Sequence, residues 1–351
     1  MVKKLKNIIN EFRYYLRLKT IFKYKLAKLG YLESGEYKIY FSEKPFLYNV
    51  REYTNVKKFT NKSSKWLELL NSSIYICNEK ENFTGQAIRL VQNNKFQIYD
   101  FHKARVLTVF EDQKQMLNLQ RKYLQFEGKL LLTYIGMSSL GILEKYIDCN
   151  PEYSSNENEK NMKMQYLQVA NDIARMVECS NKMKLLDICG YKKKWKCDVE
   201  GINDLLNELE KRIEKRKVPQ IYIHGDLHRG NILKDSKGDL YYIDIEYARD
   251  DVFFYDCFNY IYVDFVYNED DTLMKMYLEK DVEIFSSMKK IFQAVSLEFD
   301  ERDYLQYWLV FLQRRIIESV CLSYKYFRGK DYRECLLRGY LEFYDYILRR
   351  V

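Results

Sequence analysis

Residues Ile221 to Tyr247, IYIHGDLHRGNILKDSKGDLYYIDIEY, hold chemistry-bearing side chains in an ordered spacing. His224-Gly225-Asp226 comes first, Asn231 follows Asp226 by five residues, and Asp244 lies thirteen beyond Asn231. Transfer of a phosphoryl group to a hydroxyl needs groups of this kind. One carboxylate takes the proton of the attacking hydroxyl. An amide oxygen and a second carboxylate hold a hard divalent cation on the phosphates.

The elements that must position these groups are legible around them. Ile221-Tyr222-Ile223 reads as a short buried strand ending at His224. Ile232-Leu233-Lys234 and Leu240-Tyr241-Tyr242-Ile243 read as two strands, joined by the turn formers Asp235-Ser236-Lys237-Gly238-Asp239. A hairpin centred near Lys237 pairs residues whose numbers sum to about 474. Asn231 then falls opposite Ile243, beside Asp244, at the open end of the hairpin. Cross-strand neighbours are about 5 Å apart, close enough to share one ion.

HGDLHRGNIL followed by YIDIEYA resembles the superfamily of aminoglycoside phosphotransferases, choline and ethanolamine kinases and related bacterial small-molecule kinases. Protein kinases carry the comparable H-R-D-x-x-x-x-N and D-F-G; here Gly225 replaces the Arg, and Asp244-Ile245-Glu246 replaces D-F-G. The resemblance covers residues 221–256. It implies an α+β, two-lobed, protein-kinase-like fold with an antiparallel-sheet N-lobe and a mainly helical C-lobe. It also implies ATP and Mg²⁺ as cofactors and a small-molecule hydroxyl as acceptor. By residue, it implies Asp226 as catalytic base, Asn231 and Asp244 as metal ligands, and Glu246 at a second metal or the substrate. Asp256 would steady the catalytic loop. His224 is expected to pack and bond that loop; His228 lies near the phosphates or is an exposed loop residue.

The 351 residues suffice for two lobes, and 47% hydrophobic content supports a folded core. The expected division is a basic helix over 1–30, an N-lobe over 31–147 and a C-lobe over 148–351. The net charge of +8 favours an anionic partner, a nucleotide or a membrane surface; no nucleic-acid partner is expected. The start lacks the apolar core of a secretory signal, and the eight cysteines form no C-x-x-C pair. A cytoplasmic enzyme with reduced, mostly buried thiols is the expectation. Residues 1–28 carry nine basic residues against Glu11, with Leu5, Ile9, Phe12 and Leu16 at helical spacing. Two readings stand: peripheral contact with an anionic membrane at its inner face, or a helix packed on the lobe with solvated lysines.

Strands are expected over Thr84–Gln92, Phe96–Phe101 and Ala104–Phe110, then a helix over Glu111–Phe126. A hairpin of Leu130–Ile135 and Ile142–Ile147 should turn at Gly136–Ser139. Glu144-Lys145-Tyr146-Ile147 would be a hinge whose backbone meets adenine, with Glu144, Tyr146 and Ile147 as nucleotide-binding residues. No G-x-G-x-x-G and no V-A-I-K is present. Ala87-Ile88-Arg89 looks similar to the latter but lies too early, so Lys103 or Arg105 is the candidate phosphate cation. Helices are expected at Met162–Cys179 and Val199–Lys217 and through most of the chain after the catalytic segment.

Residues 264–303 hold eleven acids against five Lys or Arg. This stretch is either an acidic pocket for a cationic acceptor or a solvated helical face. Trp308 and Arg315, seven apart on one helix, are candidate acceptor-binding residues or a core aromatic with a structural Arg. The expected function is an ATP- and Mg²⁺-dependent kinase of an amino alcohol such as choline or ethanolamine, or of a sugar or envelope glycan. An aminoglycoside is the alternative acceptor. A nucleotide-binding pseudokinase or scaffold is the alternative class.

Overall fold

The computed structural model describes residues 13–14, 16–22, 32–40, 45–57, 74–76, 85–91, 95–110, 112–138, 141–148, 159–180, 183–188, 201–214, 217–322 and 330–349. The fold is mixed α+β, with an antiparallel sheet in the N-terminal part and helices dominating the C-terminal part. Two compact units emerge. One holds Met1–Tyr123, Thr133–Pro151 and Asp235–Lys237; the other holds Leu124–Leu132, Glu152–Lys234 and Gly238–Val351.

The first unit is built on eight strands: β1 (Gly35–Tyr40), β2 (Phe46–Asn49), β3 (Ile74–Ile76), β4 (Ala87–Leu90), β5 (Lys95–Asp100), β6 (Arg105–Phe110), β7 (Tyr134–Met137) and β8 (Gly141–Lys145). Their order is β3-β1-β2-β4-β5-β6-β8-β7. Alternation along each strand feeds two cores. Phe96, Ile98, Leu107 and Val109 join Tyr37, Ile39, Leu47 and Ile88 on one face. Tyr99 and Val106 join Tyr40, Phe46, Tyr48 and Ala87 in the other cluster, with Val56 of the short helix α1 (Tyr53–Lys57).

The described residues between 13 and 22 are helical. Leu18 and Phe22, four apart and fully enclosed, pack into the first of these clusters. Leu16 is 46% exposed, between exposed Arg13 and Arg17. Leu5, Ile9 and Phe12 of the expected stripe lie outside the described residues.

Helix α2 (Gln113–Gln125) follows β6, within the expected span. The hairpin after it is shifted from expectation. Its strands are β7 and β8, with a bulge between Tyr134 and Gly136. Ser138 closes the turn, donating its N–H to Gly141 O and accepting the Gly141 N–H on Oγ. Leu130 instead enters the core, and Leu131 O accepts from Tyr242 N.

The second unit places β10 (Lys217–Ile223) between β9 (Lys184–Asp187) and β13 (Arg249–Val252), all antiparallel. The hairpin β11 (Ile232–Lys234) and β12 (Leu240–Tyr242) pairs Ile232 with Tyr242, Leu233 with Tyr241 and Lys234 with Leu240, the register expected from the turn. Helices α3 (Glu159–Glu178), α4 (Ile202–Arg212), α5 (Tyr255–Tyr267), α6 (Thr272–Leu278), α7 (Val282–Ala294), α8 (Tyr304–Ile316) and α9 (Lys330–Leu348) complete it. Helix α5 is buried from Tyr255 through Asp264. Phe258, Tyr277, Trp308, Phe311 and Phe343 form an aromatic core between α5, α6, α8 and α9. Among the described residues no helix is long and apolar enough to cross a membrane.

Candidate active site

Strand β10 ends in the HGD turn because Gly225 takes φ +83°, and a Cβ there would meet Tyr247 O at 2.3 Å. Only glycine fits this backbone without a shift. The chain beyond is bonded to one face of α5. Asp256 accepts the His224 N–H at 2.7 Å and the Gly225 N–H at 2.9 Å. Burial raises the Asp256 carboxyl above its ordinary value, and His224 and the two N–H groups oppose that rise. Asn259 Nδ2 donates to Leu227 O at 2.9 Å. Asp264, fully buried, accepts from Arg229 Nε at 2.8 Å. Thus 256, 259 and 264, polar positions on an otherwise apolar helix, hold the loop at 224–225, 227 and 229.

His224 is fully buried, with Nε2 2.8 Å from Ile243 O and Nδ1 accepting the Asp226 N–H at 3.4 Å. It ties the loop to the end of β12. His228 caps the turn Arg229–Asn231, accepting the Gly230 N–H on Nδ1 at 3.1 Å. Burial holds its imidazole below the usual histidine value, opposed by Asp226.

Asp226 is left partly open, its side chain 27% exposed. The Asn231 amide nitrogen donates to Asp226 O at 2.8 Å. That bond fixes the amide, since a flip would set oxygen against oxygen. The amide oxygen is therefore the end not spent on Asp226. Asn231 O accepts the Ile243 N–H at 3.0 Å, so Asn231 lies across from Ile243 with Asp244 next in chain. Asp244 is exposed at φ +61°, ψ +48°, a left-handed conformation that Asp tolerates better than most residues. Glu246 is exposed on the turn Ile245–Tyr247 that follows.

Beside Asp226 lies a buried charge cluster that the sequence reading did not contain. Arg314 grips Asp251 with Nε at 2.8 Å and Nη2 at 3.1 Å, both side chains closed to solvent. Arg249 Nε meets Asp251 at 3.1 Å and Glu318 at 3.3 Å. Arg249 Nη1 also donates to Gly225 O at 3.3 Å, inside the HGD turn. Burial pushes the Asp251 carboxyl up, but Arg314 and Arg249 outweigh it and hold it below its ordinary value. Arg315 Nη1 stands 3.5 Å from Asp226 Oδ1.

Other expected residues fall differently. Trp308 has no exposed surface and is ringed by Phe258, Tyr277, Phe311 and Phe343. It fills the core and cannot touch an acceptor. Most acids of 264–303 serve ion pairs or caps: Asp264 and Asp270 meet Arg229, Asp281 and Glu283 meet Lys163, and Asp271, Asp300 and Glu301 pair with nearby Lys or Arg. They form no acidic pocket among the described residues.

In the sheet unit, Lys103 is exposed on the β5–β6 turn, and Arg105 bonds buried Asp100 at 3.2 Å. Glu144 lies inside the ladder between Val106 and Tyr134. Its carboxylate accepts hydroxyls from Thr108 at 2.9 Å, Tyr123 at 2.7 Å and Thr133 at 2.9 Å. The Tyr146 N–H is bonded to Ala104 O at 2.8 Å. Neither Glu144 nor the Tyr146 N–H is therefore placed to meet adenine; Ile147, the next residue of the expected hinge, is buried.

The profile of the phosphotransferase enzyme family matches residues 176–289, a span holding the whole catalytic segment. No curated protein matches the chain. Among solved structures, it is similar to a choline kinase from Streptococcus pneumoniae at 14% identity, covering 72% of this chain and 91% of that one, with a TM-score of 0.40. An ethanolamine kinase from Plasmodium vivax is 13% identical, with coverages of 75% and 82% and a TM-score of 0.42. An aminoglycoside phosphotransferase from Streptomyces rimosus is 13% identical, with coverages of 64% and 91% and a TM-score of 0.37. The family profile falls on the segment whose residues resemble the small-molecule phosphotransferases.

Proposed function

We propose that this chain transfers the γ-phosphoryl group of ATP to a hydroxyl of a small molecule, with Asp226 as the base. The observation that carries this reading is the HGD loop itself. Helix α5 and His224 take up much of its polar backbone, and the Asp226 carboxylate stays partly open. A carboxylate held so can orient and deprotonate an incoming hydroxyl. The Asn231 amide oxygen and the Asp244 carboxylate, with Glu246 nearby in chain, are hard oxygen donors suited to Mg²⁺. No group of three His, Cys, Asp or Glu side chains among the described residues could hold a metal. Asn231 and Asp244 would therefore share Mg²⁺ with nucleotide phosphates, the usual mode for this ion. When bound, it neutralises phosphate charge. Arg105 or Lys103 remains the proposed phosphate cation.

A scaffold or pseudokinase is the second reading, favoured by the ion pair that engages Arg105 with Asp100. ATP labelled at the γ-phosphate separates the two. Label should appear in at least one of choline, ethanolamine, neutral sugars, sugar acids or aminoglycosides, and depend on Mg²⁺. Tight Mg-ATP binding with no labelled acceptor favours the second reading. Amino alcohols and sugars or glycans both carry over from the sequence as acceptors.

A further inference from the structure

Arg315 stands beside the proposed base. Its Nη1 is 3.5 Å from Asp226 Oδ1, and its side chain is 14% exposed. Its guanidinium carbon lies over the Tyr262 ring, 5.7 Å from the centroid. Tyr262 stacks on Tyr340 at 6.2 Å and is itself buried. Arg249 covers the neighbouring aromatic face, Tyr255, at 4.7 Å. Cation–π recognition of an ammonium needs an open ring face within about 6 Å. Here an internal guanidinium already sits over each of these two rings.

The charges next to Asp226 point the same way. Asp251 and Glu318 are bonded to Arg314 and Arg249, so neither is left for an ammonium ligand. Arg315 Nε is buried and has no hydrogen-bond partner among the described residues. A guanidinium with one long contact has donors left over, and a desolvated donor without a partner is costly. The backbone of Arg315 is held by Ser319, whose hydroxyl donates to Arg315 O at 2.7 Å and also meets Tyr340 Oη. This bond lies on the π-helical turn Ile317–Leu322, a distortion frequent at functional sites.

We infer that Arg315 is a specificity-determining residue that binds an anionic group, a carboxylate or phosphate, carried by the acceptor near its reactive hydroxyl. The site thereby selects hydroxy acids, sugar acids or phosphorylated polyols over choline-like acceptors. This rests on the phosphotransferase reading only for the hydroxyl; the anion site stands on Arg315 itself. Planar guanidinium pairs with carboxylate or phosphate through two parallel bonds, which Lys cannot reproduce.

The test has two arms. In the first, turnover with Mg-ATP is compared for D-glycerate, gluconate and glycerol 3-phosphate against glycerol, choline and ethanolamine. At least one anionic acceptor should exceed its neutral counterpart and choline by on the order of tenfold in kcat/KM, the size of one charge-assisted hydrogen bond. Arg315→Gln should erase that ratio, and Arg315→Lys should keep part of it. Choline or ethanolamine as the best acceptor would overturn the proposal and direct attention to exposed Tyr247 and Tyr267. An equal loss on anionic and neutral acceptors would also overturn it, since Arg315 would then act on the transferred group or on Asp226.

In the second arm, calorimetry measures binding of the same anions to the Mg-ADP-loaded chain, with circular dichroism confirming that both variants fold. Binding that disappears in Arg315→Gln, without turnover on any acceptor, upholds the anion site and refutes the phosphotransferase reading. If none of the anions binds or turns over, the anion site is refuted.

Discussion

At the scale of single residues, the site depends on two backbone conformations and one oriented amide. Gly225→Ala adds a Cβ 2.3 Å from Tyr247 O at a positive φ. The HGD turn would have to move, so turnover should fall by at least tenfold with a loss of about 1–3 kcal/mol in stability. Unchanged kinetics in a folded Gly225→Ala chain would show that the turn is not set by this contact. Asp244→Ala removes the exposed carboxylate that follows the Asn231–Ile243 contact. Mg²⁺-dependent ATP binding should weaken by at least tenfold in calorimetry, while ATP binding without Mg²⁺ changes little; equal affinities would remove Asp244 from the metal. The sequence displayed these residues because phosphoryl transfer demands their types at short spacing. It did not display the cluster of Arg249, Asp251 and Arg314, because the bond that closes it joins Arg314 to Asp251 across the chain and arises only on packing.

Among elements, the hairpin β11–β12 was legible to the residue, because a turn rich in Asp, Ser and Gly fixes register between two short apolar runs. The β7–β8 hairpin was legible in kind but not in register, since the turn closes between Ser138 and Gly141 rather than over Gly136–Ser139, with a bulge between Tyr134 and Gly136. Strand β13, Arg-Asp-Asp-Val, gave no apolar alternation; its inward Asp251 is explained by Arg314 from α8 together with Arg249 of the same strand. Asp256 entered through the resemblance, and the other polar positions of α5 were a signal that could have been read. Asp256, Asn259 and Asp264 interrupt a helix that is otherwise aromatic and aliphatic, and such interruptions ask for partners.

The buried Asp251 cluster yields a prediction for acid stability. Its folded value lies below the ordinary 3.8, so its contribution is present above that pH and is lost as pH falls through the lower folded value. Asp251→Asn should cost about 3–5 kcal/mol at neutral pH, because it strands Arg314. The variant should also lose the share of acid sensitivity that belongs to this carboxyl. Thermal midpoints of both chains from pH 6 down to pH 2 check it: parallel curves would mean that Asp251 is not held low in the native state.

For the molecule as a whole, an antiparallel sheet followed by a helical part was foreseeable from pattern, and β1 and β2 were not. Gly35–Tyr40 does alternate, with Tyr37 and Ile39 inward, but the run is short and its pairing partners are set by tertiary contacts. The N-terminal segment divides its faces. Leu18 and Phe22 belong to the sheet core, so removing residues 2–28 would open that core. Among the described residues, a membrane contact would use the outer face, where Arg13, Leu16 and Arg17 are exposed. Binding to anionic vesicles at low salt should fall by on the order of thirtyfold or more in Arg13→Glu/Arg17→Glu, each of the two basic groups near such a surface contributing about 1 kcal/mol. Equal sedimentation of the variant and the parent would leave this segment a structural helix.

The central claim is that one partly open carboxylate, Asp226, serves as the base for phosphoryl transfer. Asp226→Asn preserves the size of the side chain and removes its ability to accept the proton. Turnover of Mg-ATP on the best acceptor, measured beside calorimetric Mg-ATP affinity for the same two proteins, tests this most directly. A fall in turnover on the order of a hundredfold or more, with Mg-ATP affinity within a few fold, is the predicted result. Near-normal turnover in Asp226→Asn would contradict it.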